Sequence, residues 1–222
     1  MKELKNARIW SNNILKEVCK NLKGSVINVS GELDSDKEGG HYKDYFLEAD
    51  SYVVSNYVEC GYNGEIILDL EEELPTQLIN KYDVVFNHTV LEHVFDIRQA
   101  FKNLCLLAKE VVIVVVPFVQ EVHYKKEVYY DYWRPTPFAI EKMFKENEFE
   151  MIFCKYNNMV DTNTYLVCVG VRSNLTKEYA NIIKKLENNY DAGNWVNRYG
   201  NEWVRGERNK KIVKYIIGNI LK

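Results

Sequence analysis

Four histidines, His41, His88, His93 and His123, are the side chains of this 222-residue chain best suited to move a proton near neutral pH. His123 follows the apolar run "VVIVVVPFV", and His88 closes "YDVVFNH", so each stands just past a segment that reads as a buried strand. They are the first and second candidates for a general base or a substrate ligand. His93, inside "VLEHV", reads as a packing residue bonded locally, while His41, in "DKEGGHYKDYF", either covers a ligand or lies in solvent. Arg134 sits beside Tyr132 and Trp133. Its guanidinium fork suits a phosphate or carboxylate, and the same fork could equally anchor the following helix through a salt bridge. Tyr129, Tyr130, Tyr132 and Trp133 could line a platform for a sugar or form a packed lid. His88 and Glu92 are four apart, which on a helix is the spacing of a metal-ligand pair, but no third ligand is recognisable and no metal is expected.

The elements that must position these groups follow from periodicity. Residues 5–22 carry Ile14, Leu15, Val18 and Leu22 on one stripe and read as an amphipathic helix closed by Gly24. Strands are expected at 25–30, 51–57, 65–70, 82–88 and 111–118; Val84, Val85 and Phe86 of the fourth are continuously apolar, as in a parallel strand covered on both faces, and the fifth is the strongest strand in the chain. A helix carries Phe101, Leu104, Cys105 and Ala108 at i, i+3, i+4, i+7. Thr136 as N-cap and Pro137 at the first helical position open another, with Ile140, Met143 and Phe144 inward. "FEMIFCKY" and "TYLVCVGV" follow without a helix between them, most simply as an antiparallel pair. The order implies an α/β fold: a mostly parallel seven-stranded sheet with an antiparallel edge strand and helices on both faces. Residues 1–172 read as this core with its N-terminal helix, and 173–222 as a helical extension packed on it. The extension has one stripe through Tyr179, Ile182, Ile183, Leu186 and Tyr190 and another through Ile212, Val213, Ile216, Ile217 and Ile220. Between them "DAGNWVNRYGNEWVRG" reads as ordered, and the Ile-rich final helix is a candidate homodimer surface.

In an open parallel sheet, ligands collect beyond the carboxyl ends of the strands. The residues there are Ser30, Gly31 and Glu32; Ser55 and Asn56; Asp69 and Leu70; Asn87, His88 and Thr89; and Pro117, Phe118 and, a little further on, His123. The first turn, "VSGELDSD", has one glycine where a dinucleotide loop needs G-x-G-x-x-G to close N–H groups on a diphosphate. That argues against a dinucleotide and is compatible with a cation-bearing ligand; for Asp34, Asp36 and Lys37 the alternative is a solvated surface turn. A net charge of -3 offers no electrostatic reason to expect a nucleic acid. Five cysteines show no zinc or redox spacing, and Cys105, Cys154 and Cys168 fall in apolar segments as small buried hydrophobes. The longest apolar stretch is too short to span a bilayer, and the charged start, lacking an apolar run behind it, gives no signal peptide. Cytoplasm is the expected compartment.

"YDVVFNHTVLEHVFDIRQAFKNL", followed by a buried strand and "PF", resembles the middle of a class I S-adenosylmethionine-dependent methyltransferase. "DYWRPTPFAIEKMF" resembles a segment of a bacterial subgroup associated with capsule and surface-polysaccharide genes. The similarity covers about residues 24–172, and the subgroup shares a first loop like "NVSG…DKEG". The resemblance implies S-adenosyl-L-methionine as cofactor, with S-adenosyl-L-homocysteine as product. It places Ser30 and Gly31 beneath the methionine part, Glu32 or Asp34 at its ammonium, and Asn56 at the ribose in place of the usual carboxylate. Asp69 and Leu70 would read the adenine, Asn87 and His88 would lie beside the sulfonium, and Glu71, Glu72 and Glu73 would be a solvated face. His123, with His88 second, is the expected base or acceptor ligand, and Arg134 the expected anchor for an acceptor anion. O-methylation of a sugar, nucleotide-linked or phosphoramidate-type precursor is the implied reaction. An inactive binding protein of the same fold and, more remotely, a nicotinamide-dependent oxidoreductase are the alternatives.

Overall fold

The computed structural model describes residues 2–157, 164–183, 194–196 and 202–204. Seven strands form one sheet in the order β3-β2-β1-β4-β5-β7-β6. They are β1 (Lys23–Val29), β2 (Glu48–Asn56), β3 (Ile66–Ile67), β4 (Tyr82–His88), β5 (Ala108–Val119), β6 (Phe149–Tyr156) and β7 (Thr164–Arg172). Strands β1 to β5 pair in parallel, and β7 runs antiparallel to both β5 and β6. The antiparallel element expected at the edge is therefore this pair, with β6 on the rim and β7 one strand in.

The apolar runs explain the layering. In β5, Val112, Val114 and Val116 face one core while Val111, Ile113 and Val115 face the other. A strand buried on both sides cannot alternate with polar residues. Helices α2 (Ile97–Leu107) and α3 (Pro137–Glu146) cover the first face with Phe101, Leu104, Ile140 and Phe144. On the second face α1 (Lys2–Cys19) and α4 (Thr176–Ile183) contribute Leu15, Val18, Tyr179 and Ile183. Each fully buried side chain of this kind contributes about 1.5–3 kcal/mol. Thr136 caps α3, accepting from the Ala139 N–H at 3.2 Å, with Pro137 at its first position. Asp96 caps α2 from Oδ1 to the Gln99 N–H at 3.0 Å.

Two local readings change. Gly24 does not close the first helix, which ends at Cys19. It lies inside β1 at φ +85°, where an added Cβ would stand 2.4 Å from Oδ2 of Asp83. That carboxylate accepts the backbone N–H and the hydroxyl of Ser25, each at 2.7 Å, so the glycine makes room for a β1–β4 clasp. The third strand shrinks from 65–70 to two residues, because pairing with β2 stops at Asn56 and Leu68 and Leu70 turn into the core. In the C-terminal stretch, α4 packs on the sheet, while 194–196 and 202–204 pair as an antiparallel ribbon. The helix and homodimer surface expected over 212–220, and the stripe at Leu186 and Tyr190, lie outside the described residues. No helix among the described residues is long and apolar enough to cross a membrane.

Candidate active site

The carboxyl ends of the parallel strands open into one cleft of about 550 Å³. That lies within the range of about 300–1,000 Å³ usual for small-molecule sites. Ser30, Gly31, Glu32, Asn56, Asp69 and Leu70 line one part of it, and His88, His93, His123 and Tyr129 another. Most of the residues picked from the sequence are thus brought together. Asn87 and Arg134 are not on its lining.

The first turn is built more tightly than its sequence suggests. Ser30, Glu32, Asp34 and Lys37 all have positive φ, between 50° and 62°. Gly31 does not belong to that set; it is needed because a Cβ there would meet Nδ2 of Asn28 at 2.4 Å. Asn28, buried on β1, donates to Oδ1 of Asp34 at 2.8 Å. The same carboxylate accepts from Tyr52 Oη at 2.7 Å and from the Lys43 N–H at 3.0 Å. Asp34 is completely buried, so it neither meets a ligand ammonium nor lies in solvent. Asp36 is 3% exposed and accepts from the Glu38 and Gly40 N–H groups and Tyr45 Oη. The two acids hold the loop together; of the turn's charges, Glu32 and Lys37 line the cleft.

Asn56 is also largely committed. Its Oδ1 accepts the Glu32 N–H at 2.7 Å, and its Nδ2 donates to the Glu32 carbonyl and to Glu65 Oε2. It fastens the first turn to the end of β2, with one Oδ1 lone pair left over. Asp69 keeps more freedom: Oδ1 accepts the Glu71 N–H at 2.8 Å, which leaves Oδ2 for a ligand donor. Leu70 is buried beside it. Glu71, expected on a solvated face, lines the cleft and accepts the Asp96 N–H at 2.8 Å.

At the other end stands a carboxylate–imidazole pair. Oδ2 of Asp131 lies 3.1 Å from His123 Nδ1 and accepts the His123 N–H at 2.7 Å. Burial opposes the charge on Asp131, but the Arg134 fork and the His123 N–H outweigh it and hold the carboxyl below its ordinary range. An ionised Asp131 favours the proton on Nδ1 and leaves Nε2 as the ring's lone pair. His93 lines the cleft rather than merely packing a helix; its Nδ1 donates to the Tyr130 carbonyl at 2.7 Å, and its ring lies 4.9 Å from that of His123. Tyr129, Tyr130 and Tyr132 line the cleft as well, whereas Trp133 donates to the Val94 and Phe95 carbonyls.

Arg134 is not available to a ligand. It donates to both oxygens of Asp131, to the Trp133 carbonyl at 2.7 Å, to that of Glu121 at 2.9 Å and to that of Gln120 at 3.1 Å. All five donors are used. The helix-anchoring alternative is nearer the fact, except that the fork ties down the loop carrying His123. Asn87 is fully buried and bridges two strands, donating to the Val29 carbonyl at 3.0 Å. His88 lines the cleft, but both ring nitrogens are engaged: Nδ1 faces Arg8 Nη1 at 2.8 Å, and Nε2 faces Ser11 Oγ at 3.3 Å. Burial, then the Arg8 cation, push its pKa well below normal, so it stays neutral. His41 is exposed and off the lining. His88 ends β4 while Glu92 sits in a separate single turn at Leu91–His93, so the helical spacing of a metal pair does not arise. Among the described residues no three His, Cys, Asp or Glu side chains cluster as metal ligands.

Two residues were passed over. Arg8 lines the cleft from α1. Its signal was present: Arg8, Ser11, Asn12, Leu15 and Cys19 share one helical stripe, and the last four are buried, so the inward face is polar in its first half. Glu92, buried in "VLEHV", considered only as half of a metal pair, carries no comparable signal.

Known structures share this architecture. The magnesium protoporphyrin IX methyltransferase of Synechocystis PCC 6803, solved with bound S-adenosylmethionine, superposes at a TM-score of 0.55 with 16% identity, over 78% of this chain and 83% of that one. The fold is that of the S-adenosylmethionine-dependent methyltransferases. An S-adenosylmethionine-dependent methyltransferase from Mesorhizobium loti matches at 0.54 with 11% identity, over 76% of this chain and all of the other. The 1,6-didemethyltoxoflavin-N1-methyltransferase of Burkholderia thailandensis, with 1,6-didemethyltoxoflavin and S-adenosylhomocysteine bound, matches at 0.51 with 10% identity, over 77% and 84%. No protein-family model and no curated protein sequence matches the chain.

Proposed function

We propose that this chain is an S-adenosylmethionine-dependent O-methyltransferase acting on a small acceptor: a sugar, nucleotide-linked or phosphoramidate-type precursor of a surface glycan. The observation that carries the reading is a single cleft joining the first turn and Asp69 to the His123–Asp131 pair. The first part fits the cofactor. It offers a close-packed turn at Ser30–Gly31, a carboxylate oxygen on Asp69 and apolar Leu68 and Leu70, without the row of glycine N–H groups a diphosphate would need. When bound there, S-adenosylmethionine supplies an electrophilic methyl on sulfur. His123 would take the proton of an acceptor hydroxyl at Nε2, leaving the acceptor oxygen free to receive the methyl group. Asp131 holds the ring and balances the imidazolium, and Arg134 holds Asp131. The glycan part of the reading rests on "DYWRPTP" and on the tyrosines lining the cleft.

Titration calorimetry tests it: saturable binding of S-adenosylhomocysteine is expected, and no heat at millimolar concentration overturns the reading. An inactive binding protein is the second reading, favoured by the commitment of Asn56 to the first turn in place of a free ribose ligand. It predicts that S-adenosylmethionine is not consumed when a panel of sugar and nucleotide-sugar acceptors is supplied.

A further inference from the structure

Arg8 is a cation turned into the cleft among neutral groups. Nη1 donates to Tyr42 Oη at 3.0 Å and faces His88 Nδ1 at 2.8 Å, Nη2 donates to Thr89 Oγ1 at 3.3 Å, and the guanidinium carbon stands 5.8 Å from the Tyr165 ring centroid. None of these neighbours carries charge at neutral pH. Burial lifts Tyr42 to about 12 despite Arg8, Tyr165 is likewise raised, and His88 is held neutral. Among the described residues no carboxylate lies within ion-pair distance of Arg8, although the other arginines with an ion pair there, Arg98, Arg134 and Arg172, all face acids. A largely buried guanidinium left unpaired costs free energy that an incoming anion recovers.

We propose that Arg8 is the anion subsite of the acceptor, so that the substrate carries a phosphate or carboxylate besides the group that is methylated. The inference rests on the methyltransferase reading and narrows its substrate class. Position separates this subsite from the cofactor end. Asp69 and Leu70 follow β3 at one edge of the sheet, whereas Arg8 contacts residues at the end of β4 and beside the start of β7, on the far side of β1. His123 and Tyr129 line the same cleft, so an acidic acceptor held on Arg8 can present a hydroxyl to the imidazole.

The test uses the full chain saturated with S-adenosylhomocysteine and inorganic phosphate as the probe, at constant ionic strength. Phosphate at ten times its dissociation constant is expected to raise Tm by about 3 °C. Arg8→Gln should abolish the shift and Arg8→Lys should retain part of it, the lysine variant serving also if the glutamine variant does not fold. In parallel, the affinity ratio of S-adenosylhomocysteine to 5′-methylthioadenosine, which lacks the amino-acid part, should stay within about twofold of wild type in both variants. A collapsed ratio would assign Arg8 to the cofactor's own carboxylate and overturn the proposal. So would a phosphate shift that is absent from wild type or equal in Arg8→Gln. Failure of wild type to bind S-adenosylhomocysteine at all is a different result: it sinks the methyltransferase reading, and the assignment to an acceptor falls with it.

Discussion

Asp131 Oδ2 stands 3.1 Å from His123 Nδ1, and the Asp131 side chain has no solvent exposure while that of His123 is 39% exposed. The carboxylate is thus shielded and the imidazole reaches into the cleft, the arrangement that fixes a tautomer and leaves one nitrogen to take a proton. Asp131→Asn removes the negative charge that selects the Nδ1–H form. Long-range nitrogen–proton NMR should show His123 as the Nδ1–H tautomer in wild type and as a mixture in the variant. Methyl transfer should fall by about 100-fold, within the 10²–10⁴ a positioned base contributes. An unchanged tautomer with an unchanged rate would remove Asp131 from the mechanism.

Arg134→Ala distinguishes a structural arginine from a substrate arginine. Its five bonds close the loop from Gln120 to Arg134, and its loss strands a buried carboxylate. Removing one partner of such a pair costs about 3 kcal/mol, or a fall in Tm of about 10 °C for a chain of this size. Scanning calorimetry measures it. A substrate-binding arginine would leave Tm unmoved and change only KM.

The large elements were legible because burial on both faces leaves only apolar residues in the middle of β4 (Val84, Val85, Phe86) and of β5 (residues 111–116), and because Thr136–Pro137 is an unambiguous helix start. The site was legible only in outline. Strand ends locate a cleft, yet they do not say which polar side chain faces it. Asp34 and Asn56 have the right types at the right places, but they spend most of their hydrogen bonds inside the protein; Asn87 is buried off the lining, its Nδ2 donating to the Val29 carbonyl and its Oδ1 without a partner among the described residues. Neither the ammonium contact expected of Asp34 nor the solvated-turn alternative for Asp34 and Asp36 could be decided from the sequence, because the groups that bind them include the Tyr52 and Tyr45 hydroxyls and the Lys43 N–H, 9 to 18 residues away. Arg8 was missed because only the apolar members of its helix were read as the inward stripe.

Asn56→Asp is the substitution that would restore the carboxylate common at this place, and it should nonetheless weaken cofactor binding. The amide donates to Glu65 Oε2 and to the Glu32 carbonyl. A carboxylate would lose both bonds and place like charges in contact, which forces one to protonate or move. The first turn would loosen, and S-adenosylhomocysteine affinity by calorimetry should drop about tenfold. Double substitution with Glu65→Gln, which removes the repulsion, should recover part of the loss. Tighter binding in the single variant would show that Asn56 does not hold the turn.

Glu92 gives a pH dependence with a definite sign. Burial above all, then the charge of Asp131, push its carboxyl up to about 8, although its own N–H, Arg134 and Arg8 pull the other way. Neither carboxyl oxygen has a hydrogen-bond partner among the described residues. The folded protein therefore keeps this proton up to about pH 8, whereas the unfolded chain releases it near 4.5, the ordinary value for a glutamate. Across that window the native state binds more protons than the unfolded one, so stability falls as pH rises, by up to about 1.4 kcal/mol per pH unit. Glu92→Gln keeps the shape and cannot ionise. Its Tm should match wild type near pH 4.5 and exceed it increasingly up to pH 8, because every other titrating group contributes equally to both proteins. Parallel Tm curves for the two proteins would mean that the Glu92 carboxyl ionises in the folded state as readily as in the unfolded chain, for which His93, its Nε2 3.8 Å from Glu92 Oε1, is the nearest counter-group.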